Sequence, residues 1–398
     1  MYNYTYSFVK HPMILYLIVF LVMIFIISCE NTALCSNNNN FDQSAVYDNL
    51  KSAVEKLDEL EKVPESKWFG TDKEDVNDDL NDILNETISY LDIPEFSELR
   101  DRYRKLENII INNKNKISEL REDRLFAPEG ESTFRTKYIP TQTMRNWTAK
   151  TRGDYDVLIN AYEEDINDYQ NEMEKIEIKL SELMSDIGIE LNPDQLEFWL
   201  SSIIGDDVLS MSVVFSNVKV VTNQLAKLTK ESGENLGYAK RYYGMLVALH
   251  KLVVHMQSNF ISKVNNNVLP KLSEFSDEAD KNISEAKRLI NEGGNRSSLE
   301  SNIDANQLTK KTIDLYKNMV IDHRNKVNKA LSISEREMKV AVNTYKTVSL
   351  SSEVIDLIQE GRDTFETLSN LQIPAATEFQ NNEIREEFRK LTKRLNKS

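Results

Sequence analysis

Glycine and proline are scarce in this chain, and their scarcity constrains its fold. The 398 residues include 11 Gly and 8 Pro, whereas average usage would give roughly 28 and 20. Both residues interrupt helices, and sheets joined by tight turns need many glycines. We therefore expect an all-α fold, an elongated helical bundle or coiled coil with long antiparallel helices.

Cysteine and histidine are also rare, which argues against metal chemistry. The two cysteines, Cys29 and Cys35, lie near the N-terminus, so the body has no Cys pair for zinc. His250 and His255 are five residues apart and do not share a helix face, which favours a core or interface role. The chain also lacks a phosphate-binding glycine loop and a His-Glu-x-x-His motif. We predict a non-enzymatic protein with no metal and no cofactor.

The chain also has no excess of positively charged residues. Lys and Arg number 49 against 64 Asp and Glu, giving a net charge of −15. Lys10 is the only charged residue within 1–28, so the remaining body stands at −16. Such a field repels nucleic acid, and no nucleic-acid partner is expected. Acidic pairs such as Asp206-Asp207 are interpreted as solvated or helix-capping groups rather than catalytic ones.

The N-terminus carries the one long apolar run. Fifteen consecutive apolar residues, 13–27, follow Lys10 and His11. This is the layout of an export signal, and it is short for a membrane-spanning helix, which needs about 20 apolar residues. Residues 1–28 are therefore predicted to be a signal peptide.

The end of that run, Ile26-Ile27-Ser28-Cys29, resembles the lipobox of bacterial lipoproteins. The resemblance implies cleavage before Cys29 and attachment of fatty acyl chains there. Two or more such chains would hold the protein stably in the outer or cytoplasmic membrane of a bacterial cell envelope. The alternatives are an uncleaved signal anchor, or a secreted protein in which Cys29 and Cys35 form a small disulfide loop.

Periodicity and helix breakers divide the remainder into segments. Apolar residues spaced three and four apart predict amphipathic helices through most of it. Leu299 to Leu371 contains a single Gly and no Pro; as one helix it would be on the order of 100 Å long. The predicted order is a lipidated Cys and polar tether (29–41), N-terminal helices (42–125), a basic aromatic loop (126–153), a helical bundle with an apolar hairpin (154–292), and a long helix followed by a terminal helix (293–398).

The loop 126–153 is the best partner-binding candidate. It has no helical period and a net charge of +3 within an acidic protein. Aromatic rings interleaved with cations can bind acidic partners; the alternative is that the rings only pack the loop against the body. The candidate binding residues are Phe134, Arg135, Lys137, Tyr138, Arg145 and Trp147.

The apolar hairpin 206–264 leaves a second function open. Charged residues such as Lys219 and Lys251 interrupt it, which favours packing in a core over insertion into a membrane. The leading hypothesis is a lipid-anchored scaffold or binding protein that contacts a membrane and a protein partner or a second copy of itself. The alternative is a secreted or surface α-helical pore-forming toxin or adhesin.

Overall fold

Helices account for almost all of the residues that the structure describes. The computed structural model describes residues 41–60, 62–66, 71–133 and 149–397, and within these ranges it contains helices and no strand. The all-α class expected from the shortage of Gly and Pro is confirmed. In the N-terminal half the helices are α1 (Gln43–Leu60), α2 (Lys73–Leu91), α3 (Pro94–Phe126), α4 (Arg152–Asp186), α5 (Pro193–Leu200) and α6 (Gly205–Glu231). In the C-terminal half they are α7 (Leu236–Lys263), α8 (Leu269–Asn291), α9 (Arg296–Thr347), α10 (Ser351–Leu371) and α11 (Asn382–Lys397).

Local side chains account for several helix starts. Asp72 caps α2 by accepting hydrogen bonds from the backbone N–H groups of Glu74 and Asp75. Asn192 does the same for α5, where Pro193 occupies the first helical position. The first N–H groups of a helix have no partner within it, so a side-chain oxygen at this position stabilises the start by about 1 kcal/mol.

Helix α7 lies at the centre of the fold. It contacts α1, α2, α6, α9 and α10, and residues 243–250 on it are all buried. The predicted apolar hairpin is α6 paired with α7, and its members Val213 and Val253 are 0% and 1% exposed. A helix that is apolar all round is stable in water only when neighbours cover every face. The hairpin is therefore core in this structure.

Helices α3 and α4 run side by side in opposite directions. Arg102 pairs with Glu172 at 2.8 Å, and Arg121 pairs with Glu163 at 2.9 Å. Residue numbers therefore rise along α3 while those of the paired residues on α4 fall. Their contacting stripes recur at three- and four-residue steps, the spacing that lines up one helix face. Buried members on α3 are Tyr103, Leu106, Ile110, Ile117 and Leu120, and on α4 Leu158, Tyr162, Ile166, Met173, Ile176 and Leu180.

The stretch 299–371 is two helices rather than one. Helix α9 ends at Thr347, and extended backbone at Val348 and Leu350 separates it from α10. The Glu353 carboxylate accepts from the N–H groups of Ser349 and Leu350 at 3.2 Å and so caps the second helix. The 52 residues of α9 give a length of about 78 Å. No Gly or Pro marks the break, which is why the sequence pattern does not reveal it.

A π-helical turn joins α7 to α8. It covers Val264–Val268, directly before Leu269 and Pro270. Proline has no N–H to donate and its ring crowds the preceding turn, so a locally widened turn is one way to continue the helix through it.

Candidate functional site

The site residues predicted from sequence lie outside the described residues. Cys29 falls within 1–40, and the loop candidates fall within 134–148. The structure does describe both ends of that loop, where it leaves α3 and enters α4. The loop candidates concerned are Phe134, Arg135, Lys137, Tyr138, Arg145 and Trp147.

Asp154 holds the two ends of the loop together. Its Oδ1 accepts from the backbone N–H of Thr133 at 2.6 Å and from the Thr133 hydroxyl at 2.9 Å. Its Oδ2 accepts from the N–H groups of Lys150 at 3.0 Å and Thr151 at 3.2 Å. The carboxylate is fully buried, and four hydrogen bonds satisfy the charge that burial would otherwise penalise.

Backbone contacts reinforce this clasp. The N–H of Arg152 donates to the Pro128 carbonyl at 3.1 Å, and that of Gly153 donates to the Gly130 carbonyl at 3.0 Å. A Cβ added to Gly153 would lie 2.5 Å from the Ser132 nitrogen. Only glycine therefore allows the two ends of the loop to approach each other this closely. The loop 127–151 therefore leaves the helical pair from a fixed base.

Two large apolar side chains are exposed beside that base. Leu125 and Phe126, at the end of α3, are 70% and 84% exposed. Neighbouring Arg124 forms an ion pair with Asp156 on α4 at 2.7 Å, so the helix end itself is held in place. We call residues 125–133 and 149–152 the tip of the α3–α4 pair.

A second group of buried charges lies elsewhere, around Arg389 on α11. The Arg389 guanidinium donates to Glu197 of α5 at 2.7 Å and lies 3.9 Å from Glu107 of α3. Arg385 forms a second ion pair with Glu197 at 3.2 Å. The Tyr103 hydroxyl donates to Glu177 of α4 at 2.9 Å. Side chains of α3, α4 and α5 thus meet those of the distant C-terminal helix α11 in one polar joint.

Burial shifts the protonation of this joint. Burial, together with the nearby charge of Glu197, raises the pKa of Glu177 to about 7. Burial also raises the pKa of Glu107 and Glu197, and Arg389 opposes the rise at both. Clefts of about 220 and 240 Å³ flank Arg389. A carboxyl group that titrates near neutrality can exchange a proton, yet structural ion-pair networks perturb pKa values in the same way.

The histidines of the body are engaged in packing. The His250 ring lies 4.5 Å from the Phe365 ring, and the His323 ring lies 5.4 Å from that of Trp199. Burial lowers the pKa of both to about 4. His255 is half-buried, with its Nε2 2.8 Å from the Asn85 Oδ1. In the described ranges no group of three His, Cys, Asp or Glu side chains is placed to hold a metal ion.

Sequence reasoning missed both polar assemblies. The clasp has a local signal, because Thr151 and Asp154 have the spacing of a capping box and the helix begins there. The joint has none: Arg389 and Glu197 are 192 residues apart, and Tyr103 and Glu177 are 74 apart. Only the tertiary fold brings these charges together.

The comparisons add no relative. No family model matches the chain, and searches of curated proteins and of solved structures find no match. Among the described residues no single helix is long and apolar enough to cross a membrane; α5 and α6 meet that criterion only as a pair bent by 118°.

Proposed function

We propose that the protein is a non-enzymatic, lipid-anchored helical binding protein of the cell envelope. Its anchor is the lipid on Cys29, its body is the helical bundle, and its binding surface is the tip of the α3–α4 pair with the loop between them. An elongated coiled-coil character of that pair belongs to the same proposal, and its opposed, ion-paired helices support it.

The observation that carries the binding function is the construction of the tip. Phe126 is exposed beside a loop base that the buried Asp154 fixes with four hydrogen bonds. Exposed apolar side chains next to a held loop are typical of interaction surfaces, because loops on rigid supports lose little entropy on binding.

The buried charges support a binding role over catalysis. Glu197 forms ion pairs with Arg389 and Arg385, and Glu107 forms one with Arg389. Each of these ion pairs joins two different helices. Glu177 accepts from Tyr103. Each group in the joint thus has a partner within the protein, as expected of a structural joint between packed helices.

The charge of the loop indicates the class of partner. Segment 126–153 has a net charge of +3, whereas residues 29–398 stand at −16. Opposite charge speeds encounter and selects partners. An acidic protein surface fits the tip, and a second copy of this acidic chain is one such surface.

Photocrosslinking in cells tests the binding surface. Benzoylphenylalanine placed at Phe126, in the full chain, should give a discrete crosslinked species. The control is the same substitution at Ile178, which is 44% exposed on α4 itself but far from the tip. The species expected is twice the mass of the chain for self-association, or another single mass for a separate partner. Equal crosslinking at positions 126 and 178 would refute the tip as the binding surface.

A further inference from the structure

A groove beside the central helix α7 combines apolar side chains with lysines. Its volume is about 520 Å³, within the range of roughly 300–1,000 Å³ that is typical of small-molecule sites. Helices α1, α2, α7 and α9 contribute to it, and no acidic residue lines it among those that the structure describes. The apolar lining consists of Leu57, Leu60, Val247 and Val342.

Tyr345 of α9 closes one end of this groove. Because Gly244 of α7 has no side chain, Val54 of α1 and the Tyr345 ring pack directly against the helix; a Cβ there would lie 3.0 Å from Val54 and 3.1 Å from Tyr345. The Tyr345 hydroxyl also donates to Asp58 of α1 at 3.3 Å. These contacts separate the apolar groove from a more polar one that contains Glu55 and Asp58. A ligand of the apolar groove is therefore short and ends at Tyr345.

Lys251 is the charged residue that α7 contributes to the groove. It follows Val247 by four residues, so the two share a helix face about 6 Å apart along the axis. Lys251 is partly buried, and its ammonium forms no ion pair with a residue that the structure describes. Burial lowers the pKa of Lys251, and no carboxylate opposes that shift. This ammonium loses water without gaining an acidic partner, and an anion in the groove would supply one.

The other two lysines of the groove are in different environments. Lys73 of α2 forms an ion pair with Glu65, and Lys346 is exposed on α9. Both add positive charge to the groove, and Glu65 offsets part of it. An anion at Lys251 thus meets no lining carboxylate that would repel it.

The combination of a partly buried ammonium with apolar walls selects the kind of ligand. A small inorganic anion would pair with Lys251 but would leave Leu57 and Leu60 facing water. A neutral hydrocarbon would cover those side chains and leave the ammonium without a partner. A carboxylic acid with one short alkyl chain satisfies both parts, whereas a phospholipid with two acyl chains does not fit in a groove that Tyr345 closes.

We propose that this groove binds a free medium-chain alkyl carboxylate. The carboxylate pairs with Lys251, and the alkyl chain lies against Leu57, Leu60 and Val342. Pairing with an ammonium and burial of CH₂ groups both contribute to affinity. The proposal goes beyond the tip, and it depends neither on the tip nor on a lipid at Cys29.

Equilibrium dialysis of the full chain in a nonionic detergent tests this site. The probe is radiolabelled octanoate, and chambers that contain detergent alone measure the amount taken up by micelles. We expect saturable binding of a single octanoate per chain. Hexanoate, which lacks two of the CH₂ groups, should compete roughly tenfold less well. Acetate lacks the alkyl chain and octan-1-ol lacks the charge, so both should compete far more weakly than octanoate.

Two variants test the two parts of the site. Lys251→Met removes the ammonium and should weaken octanoate binding by on the order of tenfold. Val342→Asp places a carboxylate in the apolar lining and should weaken binding at least as much, because like charges repel. The matched controls are Lys219→Met on α6 and Val340→Asp on α9. Lys219 is also partly buried, Val340 is 54% exposed, and neither lines the groove, so both controls should bind as wild type does.

Several results would overturn the proposal. One is the absence of saturable binding to the wild-type chain up to millimolar octanoate. Equal competition by octan-1-ol would exclude a role for the charge, and equal competition by acetate would exclude a role for the apolar lining. Wild-type affinity in a Lys251→Met chain that thermal unfolding shows to be folded would place the octanoate elsewhere. If Lys251→Met does not fold, equal affinity of Val342→Asp and Val340→Asp would overturn the proposal instead.

Discussion

The Glu177 carboxyl group lies among groups that oppose its ionisation. It is buried on α4, accepts from the Tyr103 hydroxyl at 2.9 Å and faces the charge of Glu197. Burial and that charge outweigh the hydrogen bond, and the pKa rises to about 7. The folded protein thus holds this proton more tightly than the unfolded chain, in which the pKa is near 4.5.

The sign of the pH effect follows from that difference. A carboxyl group with a raised pKa in the folded state contributes stability below pH 4.5 and loses it as pH rises towards 7. Glu177→Gln keeps the acceptor for Tyr103 and removes the titration. Urea unfolding measures the free energy of unfolding of the variant and of wild type. We expect the difference between them to shift in favour of the variant by on the order of 2 kcal/mol as pH rises from 5 to 8.

The exposed Glu174 on the same helix provides the control. Glu174→Gln should leave the pH dependence of the free energy of unfolding as it is in wild type. If Glu177→Gln and wild type show parallel pH dependence, Glu177 does not have the raised pKa, and the joint titrates through another group.

Single residues also show what sequence can reveal at this scale. Ile313, Tyr316, Val320 and Val327 follow one another at steps of three, four and seven residues, and all four are fully buried. The sequence favours a core or interface role for His250, and the residue is buried against Phe365. Spacing captures these residues because one helix face repeats every three or four residues.

The start of α4 is the element on which the proposed binding surface depends. Each oxygen of the Asp154 carboxylate accepts two hydrogen bonds, and all four donors belong to the two ends of the loop. Asn at this position can accept on one oxygen only, and its NH₂ group would meet two N–H donors. Asp154→Asn should therefore lower the free energy of unfolding by about 2–4 kcal/mol and open the loop base.

Thermal unfolding and limited proteolysis check this prediction. Cleavage within 127–151 should be faster in Asp154→Asn than in wild type. Asp168→Asn, the same change at an exposed site on α4, should match wild type in both measurements. Unchanged stability and unchanged cleavage in Asp154→Asn would show that the clasp does not hold the loop.

Elements were predicted from sequence more completely than the breaks between them. Apolar periodicity and caps such as Asn192-Pro193 are local signals, so they indicate helices from the sequence alone. The break at residues 348–350 has neither Gly nor Pro, and it forms where the Glu353 carboxylate caps a new helix. The π turn at Val264–Val268 is likewise a response to Pro270 that the apolar pattern does not record.

On the scale of the whole molecule, the Arg389 joint connects the C-terminal helix α11 to helices of the N-terminal half. It ties α11 to α5 through Glu197 and brings α3 close through Glu107. Removing the guanidinium would leave Glu197 buried with Arg385 as its remaining ion-pair partner in the joint. Because Arg389 forms the shorter of the two ion pairs that the buried Glu197 makes, we expect Arg389→Met to lower stability by about 1.5–3 kcal/mol.

Chemical denaturation of Arg389→Met measures the loss in the free energy of unfolding, and hydrogen exchange shows which helices are destabilised. Exchange should quicken first in α11. Lys390→Met changes the next residue, which is exposed, and should cost less than about 0.5 kcal/mol. Similar losses for both variants would mean that the joint contributes nothing beyond ordinary surface charge. No local pattern predicts this joint, because its members are 192 and 282 residues from Arg389 along the chain.

The proposed anchor depends on the chemistry of one sulfur atom. Residues 13–27 and the Ile26-Ile27-Ser28-Cys29 motif support lipid attachment, and the tip of the α3–α4 pair would then act at a membrane surface. Cys35 offers a matched control, since it is the other cysteine of the chain and lies outside the motif.

Metabolic labelling with a radioactive fatty acid, in the cells that produce the protein, tests this claim most directly. The wild-type chain and Cys35→Ser should both carry label and sediment with membranes. Cys29→Ser should carry none and should keep its uncleaved N-terminal segment. An unlabelled wild-type chain, or equal labelling of Cys29→Ser, would contradict the account.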